Sequence, residues 1–152
     1  MARDLGEIAL SDILDGATVL AAGGGGPVQT GKSLLSSMIA QKLFPKLVPL
    51  QEVPDSAGVA VPIAMGSCAT LLENLLDFQL VAALQTFTKI AGRVDALIPV
   101  ETGQVNTLAV LYTAAKTNLP VIDADGTGRS IPEFKNTVFY SRQANPNPFV
   151  MY

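Results

Sequence analysis

The sequence predicts one α/β domain over residues 1–152, a mainly parallel sheet flanked by helices in three layers. Three observations lead to this fold class. The chain has the length of one domain, and 49% hydrophobic with 15% charged residues supplies a large core. Apolar segments of strand and helix length alternate, which is typical of parallel sheets. Two strand segments end in carboxylates, at the edge where open α/β sheets bind ligands.

The chain is predicted to begin with two helices. Apolar residues recur at helical spacing over residues 4–22, and Asp4 followed by Glu7 predicts a capping box at the start of this helix. Four consecutive glycines, residues 23–26, end it. The second helix is predicted over residues 31–43.

The later elements alternate between strand and helix. Strands are predicted over residues 47–50, 58–64, 95–101 and 119–123, and helices over residues 70–91 and 105–117. Pro99 counts against a central strand or marks the end of one. The order strand, helix, strand implies right-handed crossovers between parallel neighbours.

Composition narrows the class of function. The net charge is -3 with scattered basic residues, which argues against nucleic acid. The chain has no histidine, so acid–base work falls to other groups such as carboxylates. Its lone cysteine, Cys68, is interpreted as a small buried residue rather than a nucleophile. One cysteine, no signal pattern and no apolar run of membrane length predict a cytoplasmic protein with no membrane partner.

Residues 26–33 (GPVQTGKS) match the phosphate-loop pattern G-x-x-x-x-G-K-[ST]. In such a loop, backbone N–H groups cradle phosphates, and the lysine and hydroxyl reach phosphate and magnesium. One alternative is therefore a nucleotide-binding module that uses Gly26, Gly31, Lys32 and Ser33, with Asp123 holding magnesium. The preceding segment has helical rather than strand periodicity, and Pro27 removes one amide, which weakens this interpretation.

Two other interpretations of the glycine run remain open. The first is a helix C-cap with a tight turn. The second, which we favour, is a turn whose N–H groups bind an anion or carbonyl at the N-terminus of the next helix. The predicted binding residues in this turn are Gly24, Gly25 and Gly26.

Polar residues follow two of the predicted strands. They are Glu101 and Asn106 after the third strand, and Asp123, Asp125, Gly126 and Arg129 after the fourth. Asp123 and Asp125 face the same side if the chain is extended, and the set offers an acid, a base, a cation and amides in one crevice. A structural Asx-turn with an Asp–Arg pair is the alternative. The residues do not have the spacing of a defined metal-binding loop.

Four motifs, taken in order, resemble the N-terminal domain of the S-methyl thiohydantoin desulfurase family. They are residues 23–26 with Gly31-Lys32, residues 61–66 (VPIAMG), residues 100–103 (VETG) with Asn106, and residues 119–129 (LPVIDADGTGR) with Pro132-Glu133. The resemblance covers almost the whole chain. It departs at Pro27-Val28, where the family usually has Asp-Pro. The resemblance predicts that these 152 residues correspond to the family's N-terminal domain alone, without its second domain.

This resemblance implies a domain that acts on small cyclic imides, such as hydantoins carrying sulfur, by hydrolytic, metal-assisted chemistry. The predicted catalytic residues are Glu101, Asp123 and Asp125, and the predicted substrate-binding residues are Gly24, Gly25, Gly26, Asn106, Gly126 and Arg129. The cofactor stays undetermined; a divalent metal with ligands partly outside this chain is one alternative. The expected partners are a small-molecule substrate and either a second copy or a second-domain partner.

The leading hypothesis assigns carbonyl polarisation to the glycine-turn amides and Arg129, and water positioning to Glu101 or Asp125. A rival hypothesis is a non-catalytic assembly domain, in which the apolar tail from Phe149 packs against a partner. Ligand-induced stabilisation would separate the three hypotheses. Stabilisation by hydantoin or thiohydantoin acids would support the leading hypothesis, stabilisation by ATP with magnesium the nucleotide-binding module, and stabilisation by neither the assembly domain.

Overall fold

The structure of the chain, a computed structural model, describes residues 1–65, 76–145 and 147–151. Its five strands are β1 (Arg3–Asp4), β2 (Lys46–Val48), β3 (Val59–Ala60), β4 (Ala96–Leu97) and β5 (Val121–Ile122). Its helices are α1 (Glu7–Leu20), α2 (Val28–Ala40), α3 (Leu76–Ala91), α4 (Asn106–Thr117) and the short α5 (Val138–Ser141). Two 3-10 turns lie at Leu50–Glu52 and Phe134–Asn136.

The five strands form one sheet in the order β1-β2-β5-β4-β3. The neighbours β2 and β5, β5 and β4, and β4 and β3 are parallel, whereas β1 pairs antiparallel with β2 at the edge. Helix α3 connects β3 to β4 and helix α4 connects β4 to β5, as parallel pairing requires. The predicted α/β fold with a mainly parallel sheet is confirmed.

The two faces of the sheet are covered unequally. Because strand side chains alternate, Leu97 and Val121 face a large core to which helices α1 to α4 contribute. Ile98 and Ile122 face the other side, where Phe139 of α5 packs against a smaller cluster. The helical layer is therefore thick on one face and thin on the other.

Helix α4 lies at the centre of the thick layer. All its residues from 106 to 114 except Thr107 are buried, and the helix packs against both α2 and α3. It ends at Asn118, whose left-handed backbone (φ 55°) is a common way to end a helix. Its first residue, Asn106, is held at the carboxyl end of β4. None of the helices in the described ranges is long and apolar enough to cross a membrane.

Several predicted boundaries differ from the structure. The capping box at Asp4 is wrong: Asp4 belongs to β1 and pairs with Lys46, and α1 begins after Gly6 without a side-chain cap. The predicted strands are longer than the observed ones, because only two or three residues of each pair in the sheet. Of the helix predicted over residues 70–91, residues 76–91 are helical, and residues 70–75 lie outside the described chain.

Candidate functional site

A cavity of about 240 Å³ lies at the carboxyl end of the parallel strands. Four segments of the chain line it: Gly25 and Gly26; Ile63, Ala64 and Met65; Val100, Glu101, Val105 and Asn106; and residues 130–134. The second and third segments follow β3 and β4 directly, so the cavity occupies the position where open α/β sheets bind ligands. Apolar side chains form most of its wall, around a few polar groups.

Glu101 is the buried carboxylate of this cavity, with 6% of the residue exposed. Its Oε1 accepts a hydrogen bond from Asn106 Nδ2 (2.7 Å), and its Oε2 accepts from the Ser130 hydroxyl (3.2 Å) and the Ile131 backbone N–H (2.7 Å). Within the described parts of the chain no cation pairs with it. Three neutral donors therefore hold this carboxylate in place without neutralising it.

Asn106 connects Glu101 to the opposite wall. While its amide nitrogen donates to Glu101, its Oδ1 accepts the Ala64 backbone N–H at 2.8 Å. Because Asn106 is the first residue of α4, the buried helix fixes its backbone. The two bonds tie together the segments that follow β3 and β4.

The glycine run forms the turn between α1 and α2. Ala21 caps α1, and the backbone then becomes left-handed at Gly23, Gly25 and Gly26, with φ of 89°, 74° and 82°. A side chain at Gly25 would be strained in this conformation and would also meet Gly103. The turn thus depends on glycine, and two of its residues reach the cavity wall.

Gln104 holds this turn from the other side. Its Nε2 donates to the carbonyl oxygens of Gly24 (2.9 Å) and Gly26, and the backbone N–H of Val105 donates to the Gly25 carbonyl (3.2 Å). In the described part of the chain, the N–H groups of Gly25 and Gly26 themselves donate to no protein acceptor. They are available to a ligand carbonyl or anion.

Asp125 closes a turn of its own. Its Oδ1 accepts the backbone N–H groups of Thr127 (2.6 Å) and Gly128 (2.5 Å), which is an Asx-turn arrangement. Its Oδ2 accepts the hydroxyl of Thr102 at 2.5 Å. Asp125 therefore braces the residue next to Glu101 from outside the cavity wall.

The other predicted residues of this segment also lie away from the cavity. Asp123 is exposed, and its backbone N–H continues the pairing with Val48. Gly126 is buried against Val100 and Phe139. Arg129 is exposed, and its Nε donates to the Ser130 carbonyl at 3.1 Å.

The structure therefore brings together four of the nine predicted site residues. Gly25, Gly26, Glu101 and Asn106 line the cavity. The remaining five lie outside its lining: Gly24, Asp123, Asp125, Gly126 and Arg129. The glycine turn and the loop after β4 both line the cavity, whereas Asp123 and Asp125 after β5 do not.

The structure contradicts the context that a phosphate loop requires. Helix α1, rather than a strand, precedes residues 26–33, and Lys32 and Ser33 are exposed on α2 outside the cavity lining. Gly31 has another role: a Cβ there would lie 2.7 Å from the Gln104 carbonyl oxygen, so glycine allows α2 to approach this residue closely.

Sequence reasoning missed Gln104, Ser130 and the apolar wall. Gln104 stands in the short polar connection before α4, where a buried amide leaves no periodic signal. Ser130 directly follows the predicted Arg129, so the signal was one residue away. Ile63 and Met65 fall in or beside a predicted strand, which gave no reason to assign them to a site.

No group of three or more His, Cys, Asp or Glu side chains able to hold a metal ion occurs among residues 1–65, 76–145 and 147–151. The described residues by themselves therefore do not make up the divalent-metal site that the resemblance implied. Cys68 lies outside the described residues.

The fold and the cavity define an α/β protein with a cavity at the carboxyl ends of its parallel strands. The chain belongs to the S-Me-THD-like family, whose N-terminal domain it matches over residues 8–152. It is also similar to the crystal structure of a protein from Chromobacterium violaceum, with a TM-score of 0.82 and 21% identity, over 93% of this chain and 40% of that one. That likeness concerns the fold. The chain thus spans about 40% of the length of this structural relative. None of the curated proteins matches it significantly.

Proposed function

We propose that this chain is the small-molecule-binding domain of a cyclic imide hydrolase or desulfurase that takes thiohydantoin-like or hydantoin-like rings. One observation carries the proposal: a buried, unneutralised carboxylate and two uncommitted backbone N–H groups border the same cavity. Membership of the S-Me-THD-like family supports the choice of ring.

The hydrogen-bonding groups of the cavity suit one edge of such a ring. A cyclic imide carries a carbonyl acceptor and an N–H donor on adjacent atoms. The Gly25 and Gly26 N–H groups offer donors for the carbonyl, and Glu101 Oε1, which accepts one bond from Asn106, has a lone pair left for the ring N–H. The apolar wall formed by Val100, Val105 and their neighbours suits the ring face.

The same groups fit a hydrolytic step. Water adds to a ring carbon, the C–N or C–S bond breaks, and the proton released by the water passes to the departing nitrogen or sulfur. Where the attacked carbon belongs to a carbonyl group, amides that are fixed before the reaction stabilise the negative charge that develops on its oxygen. For this step the lone pair left on Glu101 Oε1 accepts a hydrogen of the water in place of the ring N–H, and Asp125 braces the Glu101 segment through Thr102. Direct catalytic roles for Asp123 and Asp125, and carbonyl polarisation by Arg129, remain predictions from the sequence.

In this proposal, groups from outside the described residues complete the site: a metal ion, a second domain or a separate subunit. A divalent metal there would take ligands from outside the described residues. The structural relative is longer than this chain, which supports a second domain or a separate subunit as the partner. The exposed tail residues Phe149 (57%) and Met151 (84%) support association, including the assembly-domain alternative. The proposed compartment is the cytoplasm.

Titration with hydantoin, 2-thiohydantoin and Mg-ATP, followed by thermal shift and by ¹H–¹⁵N spectra, tests the proposal. We expect both rings to raise the Tm and to shift the Gly25 and Gly26 amide signals, and Mg-ATP to do neither. Stabilisation by Mg-ATP alone would support the nucleotide alternative, and no response to any of the three would support the assembly alternative.

The matched variants are E101Q and E7Q, the same exchange in the cavity and at an exposed residue of α1 outside the cavity lining. E101Q should abolish ring binding, because a neutral amide places an NH₂ group where a lone pair is required. E7Q should bind as the unchanged protein does. Equal binding by both variants would contradict the role of Glu101.

A further inference from the structure

We propose that Gln104 is the positioning residue of the cavity, whose side-chain amide holds the path of the glycine turn and, through the Gly24 carbonyl, fixes the direction of the Gly25 N–H group. The inference rests on the proposed function, because it concerns how the same cavity presents its donors. It adds a residue outside the cavity lining, which acts through the backbone of others.

The Gln104 amide is fully committed to the turn. Its residue is 4% exposed, and the two hydrogens of Nε2 serve two acceptors, the carbonyl oxygens of Gly24 (2.9 Å) and Gly26. A flipped amide would bring Oε1 against these two carbonyl oxygens. The hydrogen-bond network therefore allows one orientation of the side chain.

When a carbonyl group of the turn is held by a hydrogen bond, the geometry of its peptide bond also fixes the direction of the next N–H group. In a trans peptide the C=O of one residue and the N–H of the next point in opposite directions. The bond from Gln104 to the Gly24 carbonyl therefore turns the Gly25 N–H away from Gln104. The bond from Val105 N–H to the Gly25 carbonyl does the same for the Gly26 N–H. Gln104 and Val105 thus fix the direction of two consecutive N–H groups in the cavity wall, those of Gly25 and Gly26.

A polar amide at this buried position lowers the stability of the folded protein. Its Oε1 is buried and accepts no hydrogen bond from the described residues, and a Cβ at Gly25 would lie only 2.8 Å from it. An unpaired buried acceptor destabilises the folded state. A side chain selected by packing alone would be apolar here, so the two bonds to the turn account for the amide.

The first test measures the turn directly, without a ligand. In ¹⁵N relaxation of the unchanged protein we expect order parameters of about 0.8 at Gly25 and Gly26, and in Q104L values below about 0.6. Gly128, another left-handed glycine with no neighbour near its Cβ position, should keep its value in both proteins. Unchanged order parameters at Gly25 in Q104L would overturn the proposal.

The second test measures the consequence for binding. Hydantoin should bind Q104L at least about tenfold more weakly, while Q85L, the same exchange on the exposed side of α3, should bind as before. A mobile turn with unchanged affinity would overturn the positioning role. If hydantoin binds neither protein, the proposed function fails, and the relaxation result still decides the role of Gln104.

A third variant guards against loss of folding. Q104N keeps the amide but shortens the side chain by one methylene, so that it no longer spans both carbonyls. If Q104L does not fold, Q104N should still loosen the turn, and a rigid turn in Q104N would overturn the proposal.

Discussion

Two carboxylates at the same edge of the sheet, Glu101 after β4 and Asp125 after β5, have different surroundings. Each accepts three hydrogen bonds. Two of the three to Glu101 come from the distant residues Ser130 and Ile131, and Glu101 lies in a cavity wall, whereas two of the three to Asp125 come from its own loop. The comparison shows that the origin of the donors decides whether a strand-end acid faces a ligand or closes a turn.

The largest expected difference between the two regions lies in stability. E101A leaves the donors of Asn106, Ser130 and Ile131 unpaired in a buried site, so we expect a loss of about 3 kcal/mol or more in the free energy of unfolding. D125A frees donors in a half-exposed loop that water can reach, and about 1 to 2 kcal/mol should be lost. Urea denaturation measures both. Equal losses of unfolding free energy in E101A and D125A would contradict the expected difference between the two regions.

A smaller difference is expected between left-handed glycines of the two regions. G25A introduces a Cβ at a φ of 74° and within 3.1 Å of Gly103 Cα, and it should cost about 2 kcal/mol. G128A has a similar φ of 70° but no neighbour within 4 Å, and about 1 kcal/mol should be lost. Thermal unfolding of both variants tests the order. A larger loss for G128A would show that the turn is not tightly packed.

The smallest effect concerns a third carboxylate, Asp95, which lies at the opposite end of β4 from Glu101. The Gly58 backbone N–H (2.9 Å), together with Arg93, lowers the pKa of Asp95 below its ordinary value of 3.8. Its stabilising contribution is therefore present above pH 3.8 and is lost as the pH falls through the lower native pKa.

The exchange D95N tests this expectation. It should lower stability slightly at neutral pH, and the difference should shrink as the pH falls through the lowered native pKa of Asp95, where its carboxyl becomes protonated. Denaturation curves at pH 7, 4 and 2 measure the difference. A gap that widens on acidification would contradict the direction of the pKa shift.

Much of the fold follows from local patterns in the sequence. The periodicity over residues 105–117 gives α4 almost to the residue, and Pro99 marks the end of β4 as predicted. Strand β1 left no signal, because two residues cannot show periodicity and their pairing with Lys46 and Leu47 is a long-range contact. Strand lengths were overestimated because an apolar segment continues beyond the residues that pair.

The site was only partly predictable, for a related reason. The rule that ligands bind at the carboxyl ends of strands identified Glu101 and Asn106, and the run of glycines before a helix identified the turn. It could not separate them from Asp125, because the donors that close the Asx-turn depend on the path of a loop. Gln104 escaped because nothing in its local pattern reveals which carbonyls a buried amide meets.

The dispersed origin of the cavity wall has a consequence for assembly of the protein. The wall draws on residues near 25, 64, 101 and 131, so no local stretch of the chain contains a working pocket. Contacts of such wide sequence separation form late and together during folding. A ring bound in the pocket would therefore stabilise the protein against global unfolding rather than against local fraying. A chain shortened before residue 130 would lack the last segment of the cavity wall and would no longer bind the ligand.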